Sequence, residues 1–305
     1  MLPDILLQPQ QPILMKITTF LLSILLLFAL TANAQDDPLR IIVLGGHPDD
    51  ADIKAGGTAV LWANMGHAVK FVSVTNGDAG HQSQGGGALA KRRTAEAQES
   101  ARRLGIGEYV VLDNHDAELV PSLDVRKQII REIRKWDADL VITHRTNDYH
   151  PDHRYTGVLV QDAAYLVAVP NVCPDTPPLE KNPVFMYLQD GFQKPYPFVP
   201  DVVVAIDEVF EQKIHAMDAH ESQFYEWLPW INGGRDVPED KEERKATLRT
   251  LWSRDISPEM RASLEKWYGK GKAAQVNHAE AFEVCEYGSQ PDDAMLRQLF
   301  PMLGE

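Results

Sequence analysis

From Leu39 onward, short apolar runs alternate with longer stretches in which apolar residues recur every three or four positions. Leu39–Leu44 is apolar enough to be a strand buried on both faces, and it leads into Gly45-Gly46-His47-Pro48-Asp49-Asp50. A helical pattern then runs from Ile53 to Met65, and Gly66 stops it. Ala68–Thr75 is β-branched and alternating, which predicts a second strand, with Asn76-Gly77-Asp78 as its turn. The glycine- and glutamine-rich stretch 79–87 reads as a mobile loop. After it the pattern predicts a helix over Ala88–Leu104, a strand over Tyr109–Leu112, a helix over Val125–Trp136 and a strand over Leu140–Thr143. A further helix is expected from Tyr155 to about Val169, then strands at Val184–Leu188 and Val202–Ile206 and a helix over Glu208–His220. Beyond Glu221 the chain reads as charged and helical, apart from the aromatic cluster Phe224–Trp230.

Strands alternating with helices at this spacing predict an α/β fold with a doubly wound, mostly parallel, Rossmann-like sheet. Three segments are expected: a leader and signal peptide over 1–34, the α/β domain over 35–220, and a helical C-terminal extension over 221–305 packed on it. In such sheets ligands bind outside the carboxyl ends of the strands. The loop at 47–50 and the loop at 144–153 should therefore meet, although they are far apart in the chain.

Composition changes this picture little. The 305 residues are 44% hydrophobic and 24% charged, an ordinary globular balance. The uniformly apolar run Ile17–Ala32 follows Met15-Lys16 and closes on Ala32-Asn33-Ala34, the pattern of a secretory signal. It is shorter than the roughly 20 residues of a spanning helix, and Asp36-Asp37 follow it. Cleavage after Ala34, export to the periplasm or outside the cell, and no stable membrane anchor are expected. Residues 1–34 hold one acid, Asp4, and one base, Lys16, so the mature chain keeps the net charge of −14. So acidic a chain argues against nucleic acid as a partner. The two cysteines, Cys173 and Cys285, could pair or stay as buried thiols. A homo-oligomer is left open.

The phrase His-Pro-Asp occurs twice, as His47-Pro48-Asp49-Asp50 and His150-Pro151-Asp152-His153, each just after a predicted strand. One such residue in a loop would be an ordinary cap. Two such phrases at one sheet edge supply the imidazoles and carboxylates that zinc takes when sulfur is absent. An H-x-x-D turn can aim both ends inward, so His47 and Asp50 can share an ion, and one imidazole of the second loop would complete three protein ligands.

Together with Gly56-Gly57-Thr58, the Thr75-Asn76-Gly77-Asp78 turn and Arg93-x-x-Glu96, these phrases resemble the PIG-L/LmbE-like deacetylase family over roughly residues 39–220. The resemblance implies Zn2+ held by His47, Asp50 and His153, with Asp49 as general base. It implies that His150 stabilises the oxyanion and protonates the leaving amine, and that Asp152 orients His150 or tunes its pKa. Arg93, beside Arg92, matches a substrate-contacting arginine. Asp78 is a second candidate for sugar hydroxyls.

The chain also departs from the pattern. Asp52, after Ala51, replaces a glutamate common in the family. Asp148 stands where some members place a tyrosine at the reaction centre, and Tyr149 comes one place later. His144 is an extra imidazole that reaches either the substrate site or a strand-end hydrogen bond. The expected function is removal of an acetyl group from the nitrogen of an N-acetylglucosamine-like sugar or glycoconjugate. A zinc amidase acting on another amide conjugate and a non-catalytic carbohydrate-binding protein are the alternatives.

Overall fold

The computed structural model describes residues 37–253 and 255–304, and the expected leader with its cleavage site lies outside the described residues. Strand β1 (Arg40–Gly45) buries Ile41, Ile42, Val43 and Leu44 completely, which is why its sequence shows no alternation. Successive side chains point to opposite faces. Ile41 and Val43 join one core cluster, Ile42 and Leu44 another. The first cluster holds helices α1 (Asp50–Asn64) and α2 (Gly86–Leu104) against the sheet. The second holds α3 (Leu123–Trp136) and α4 (Pro151–Leu166), so the sheet is covered on both faces.

The remaining strands are β2 (Ala68–Ser73), β3 (Glu108–Val111), β4 (Leu140–Thr143), β5 (Val184–Leu188), β6 (Val202–Ala205) and β7 (Ala279–Gly288). Their order is β3-β2-β1-β4-β5-β7-β6. The pairs from β3 through β5 are parallel, and β7 runs antiparallel between β5 and β6.

Strand β7 corrects the reading of everything beyond Glu221 as helical. Its acidic residues gave it a solvated look, but Glu280 and Glu283 are buried. Glu280 accepts from Gly57 N (2.9 Å), Thr58 N (2.7 Å) and the Thr58 hydroxyl (2.6 Å) of α1. Lys213, on α5 (Phe210–Met217), donates to Glu280 at 2.7 Å and to the Ile53 carbonyl at 2.7 Å. Ile53 C=O and Gly57 N–H are the groups an α-helix pairs with each other. Here β7 and α5 supply each with a side-chain partner as well. Gly57 is required for the close approach, because a Cβ there would lie 2.8 Å from Ile206 Cδ1.

The other C-terminal elements are helical: α6 (Leu228–Ile231) after a π-helical turn at Ser222–Trp227, then α7 (Lys241–Trp252), α8 (Pro258–Ala273) and α9 (Asp293–Leu299). Cys173 and Cys285 are both free and buried. Among the described residues no helix is long and apolar enough to cross a membrane.

Candidate active site

Neighbouring β1 and β4 send their chains to opposite sides of the sheet, and the crevice between their carboxyl ends is where such folds take ligands. After β1 the chain turns tightly, with Asp49 N donating to the His47 carbonyl (2.9 Å) and His47 N donating to Asp50 Oδ2 (2.8 Å). Both ends of the H-x-x-D phrase therefore face one point. Gly46 lets that turn meet the second loop, since a Cβ there would fall 2.8 Å from His153 Cδ2. After β4, His150 caps α4: its Nδ1 accepts from Asp152 N at 3.2 Å, with Pro151 in the first helical turn. This leaves Nε2 as the proton-carrying nitrogen of neutral His150.

His47 Nδ1, Asp50 Oδ2 and His153 Nε2 form a triangle with sides of 3.0, 3.2 and 3.5 Å. Ligand bonds near 2.0–2.1 Å in a tetrahedral site put donor atoms about 3.3 Å apart, so this donor set fits a small divalent metal such as zinc. Each imidazole is oriented from behind by carboxylate. His47 Nε2 lies 3.1 Å from Asp116 Oδ1 and 3.2 Å from Asp152 Oδ2, and His153 Nδ1 lies 3.0 Å from Asp148 Oδ1. Carboxylates in this position fix the tautomer of a metal-binding histidine and raise its basicity. Burial opposes the charge of Asp116 and of Asp148, yet the hydrogen bonds from His47 and from His153 hold each carboxyl down at about 2.

Besides the sets that bring His150 to His47 and His153, or to His47, Asp116 and Asp152, His144 groups with Asp50 and His153 as a conceivable donor set. Its ring is stacked on His153 at 4.2 Å and 2°, so the in-plane lone pairs of the two rings run parallel and do not converge on one ion. His144 Nε2 also sits 3.1 Å from Gly46 N–H and 3.3 Å from Asp50 Oδ2. Burial, with His153 alongside, pushes this imidazole down to about 3, which keeps it neutral. At 1% exposure it stands behind Asp50 as a strand-end partner rather than at a ligand-accessible surface.

Asp49, which lines the same cleft as the triangle, faces Arg93. Arg93 Nη2 lies 3.4 Å from Asp49 Oδ1, and Nη1 lies 3.6 Å from Asp116 Oδ2 and donates to the Gly77 carbonyl at 3.2 Å. Burial raises the Asp49 carboxyl against the pull of Arg93, and the neighbouring Asp50 raises it further. Asp78 is turned toward the loop after β3, accepting from Asp116 N (3.0 Å) and pairing with His115 Nδ1 (2.7 Å), and it does not line the cleft. The carboxylate of Asp152 differs from its expected orientation. It bonds His47 and the Ala117 and Leu119 amides, and it addresses His150 only through the backbone N–H and its nearby charge. The fully buried carboxylate is used where it ties two loops together.

Two functional positions escaped the sequence reading. Asp116 follows β3 at the same sheet edge, so its strand-end position was the available signal. Asp148 registered only as a missing tyrosine. The loop expected to be mobile is pinned: His81 Nε2 lies 2.8 Å from Glu226 Oε2, the Gly80 carbonyl accepts from Gln223, and α2 already starts at Gly86.

The donor triangle, Asp49, Arg93, Asp116, Asp148 and His150 line a cleft of about 690 Å³ whose other walls come from loop 189–192, the π-helical turn, α6 and Trp252. Against known proteins, the PIG-L family, described as GlcNAc-PI de-N-acetylase, matches residues 42–164. A diacetylchitobiose deacetylase of Thermococcus kodakarensis is 32% identical over 206 residues, covering 64% of this chain and 76% of that protein. A probable N-acetyl-alpha-D-glucosaminyl L-malate deacetylase 2 of Bacillus cereus is 31% identical over 196 residues, covering 60% of this chain and 83% of that one. The solved N,N'-diacetylchitobiose deacetylase of Pyrococcus horikoshii has a TM-score of 0.61 at 27% identity, over 90% of this chain and 94% of that one. Sequence, fold and a paired His-Pro-Asp site at the switch point agree, and the chain belongs to the PIG-L family of de-N-acetylases.

Proposed function

We propose that this protein is an exported, zinc-dependent hydrolase that removes the acetyl group from the nitrogen of an N-acetylglucosamine-like sugar or glycoconjugate. The observation that carries the reading is the triangle of His47, Asp50 and His153 donor atoms beside a buried carboxylate and an imidazole that are not part of it. When bound there, zinc supplies Lewis acidity toward water and the amide carbonyl. Asp49 takes the proton of the attacking water, held in place by Arg93. His150, whose Nδ1 accepts from the Asp152 amide and which is therefore neutral, presents Nε2–H to the developing oxyanion and keeps that proton, since giving it up would leave an imidazolate. An amide expels its amine only after that nitrogen is protonated, and the proton that Asp49 takes from the water is the one passed to it, which leaves Asp49 ionised again. Arg93 also lines the cleft.

Acetate release from zinc-loaded protein tests the reading, with N-acetylglucosamine, its short oligomers and simple N-acetyl amines as substrates. Sugars should be turned over faster. Equal turnover of simple acetamides would replace the sugar deacetylase by a general amidase. Export is tested on protein from its native host, whose intact mass should begin near Gln35; a mass retaining residues 15–34 would refute it.

A further inference from the structure

We propose that Arg145 is a positioning residue for the reaction: its guanidinium fixes the irregular loop 189–201 as a wall of the cleft, and through that wall it sets how tightly substrate is held. This rests on the deacetylase reading above and extends it to a residue that does not itself line the cleft.

The loop between β5 and β6 has no helix or strand of its own. Gln189, Asp190, Gly191 and Phe192 nevertheless form one side of the cleft. A segment without regular backbone pairing keeps one conformation only where other groups hold it. Arg145 does so at three points. Its Nε and Nη2 donate to the two carboxylate oxygens of Asp190 at 2.7 and 2.5 Å. Nη2 also donates to the Phe192 carbonyl at 2.9 Å, and Nη1 to the Tyr196 carbonyl at 3.1 Å. The rings of Tyr196 and Phe198 lie against the guanidinium at 5.2 and 5.7 Å. Asn147 adds a bond to the Lys194 carbonyl at 3.0 Å. The Arg145 side chain is fully buried and that of Asp190 nearly so, so breaking the pair would strand both charges away from water. Only the planar fork of arginine reaches a carboxylate and two carbonyls at once. A lysine brings the same charge as a single point.

The hold matters because of where it comes from. Arg145 and Asn147 lie in the segment after β4 that leads into His150 and His153, so the wall is fastened to the metal loop itself. On the cleft side, the Phe192 ring lies 6.4 Å from that of Tyr149. Tyr149 in turn stands edge-on to His150 (5.7 Å, 84°) and to His153 (5.5 Å, 82°). A shift of the loop would move Asp190 and Phe192 relative to these imidazoles. The hydrogen bonds of Arg145 and Asn147 go to the wall and not to His47, Asp50 or His153, so the donor triangle is left in place.

Zinc-loaded full-length wild type, Arg145→Lys and Asn147→Ala are compared for zinc affinity and for kcat and KM of acetate release, with the best N-acetylated sugar of the set above as substrate. Arg145→Lys should raise KM by on the order of tenfold to hundredfold, the usual cost of a wall displaced by about 1 Å. Its kcat and zinc affinity should stay near wild type, because the wall holds ground state and transition state alike. Asn147→Ala gives up one exposed hydrogen bond and should raise KM about two- to tenfold. It decides the matter alone if thermal melting shows Arg145→Lys unfolded. A purely structural Arg145 would lower the folded fraction, which cuts the apparent kcat and leaves KM alone. That result, or an unchanged KM in both variants, would overturn the proposal. Zinc affinity falling in step with activity would overturn it too, by moving the role of Arg145 to the metal. No acetate from wild type on any of the sugars would bring down the deacetylase reading itself, and the role of Arg145 with it.

Discussion

Asp148 offers the sharpest test of how the metal centre is held. Its Oδ1 lies 3.0 Å from His153 Nδ1 and also accepts from His150 N at 3.0 Å. It therefore keeps the His153 proton on Nδ1 and the Nε2 lone pair turned toward His47 and Asp50. Asp148→Ala leaves Nδ1–H buried without its acceptor and frees the ring to rotate or change tautomer. Removing such an outer partner costs about 10- to 100-fold in metal affinity. That corresponds to about 1.4–2.7 kcal/mol. Asp148→Asn keeps an acceptor oxygen and loses only the charge, so its loss should stay within about tenfold, the low end of that range. Zinc affinity is read by competition with a chromophoric chelator. At saturating zinc, activity should recover much more in Asp148→Ala than in a variant lacking His153 itself. An Asp148→Ala protein that binds zinc as tightly as wild type would refute the argument that this carboxylate orients the ligand.

Removing a proposed ligand should differ from removing the proposed oxyanion donor. His153→Ala should lose both metal and activity, whereas His150→Ala should keep the metal and lose activity; equal metal loss, measured by elemental analysis, would show the ligand set is wrong. Asp49→Asn should lose a factor on the order of 10²–10⁴ in rate at full metal loading. A near-wild-type rate would remove Asp49 from the mechanism. Glu280→Ala strands the buried Lys213 ammonium and two α1 amides, a change that costs about 3–5 kcal/mol. For a domain of this size that lowers Tm by on the order of 10 °C, and a melting curve superimposed on wild type would contradict it.

The elements between Leu39 and His220, and the edge at which the two His-Pro-Asp phrases meet, can be read from the residues in order along the chain. That information is local: the apolar period identifies a strand or a helix, and a strand-end loop has few places to go. Boundaries moved where caps decided them. Helix α1 starts at Asp50 rather than Ile53, so the aspartate is carried on the first turn. Strand β7 was decided by tertiary structure, because the partners that let Glu280 be buried sit 222 positions away on α1 and 67 away on α5. The same holds for the outer parts of the site. Asp116 and Asp148 acquire their roles only once His47 and His153 face them, and His144 is excluded as a ligand by the angle at which it stacks on His153. The wall of the cleft beyond the metal comes from residues with no motif at all. Donor type and spacing are written in neighbouring residues, but burial, direction and pairing are properties of groups that only the folded chain brings together.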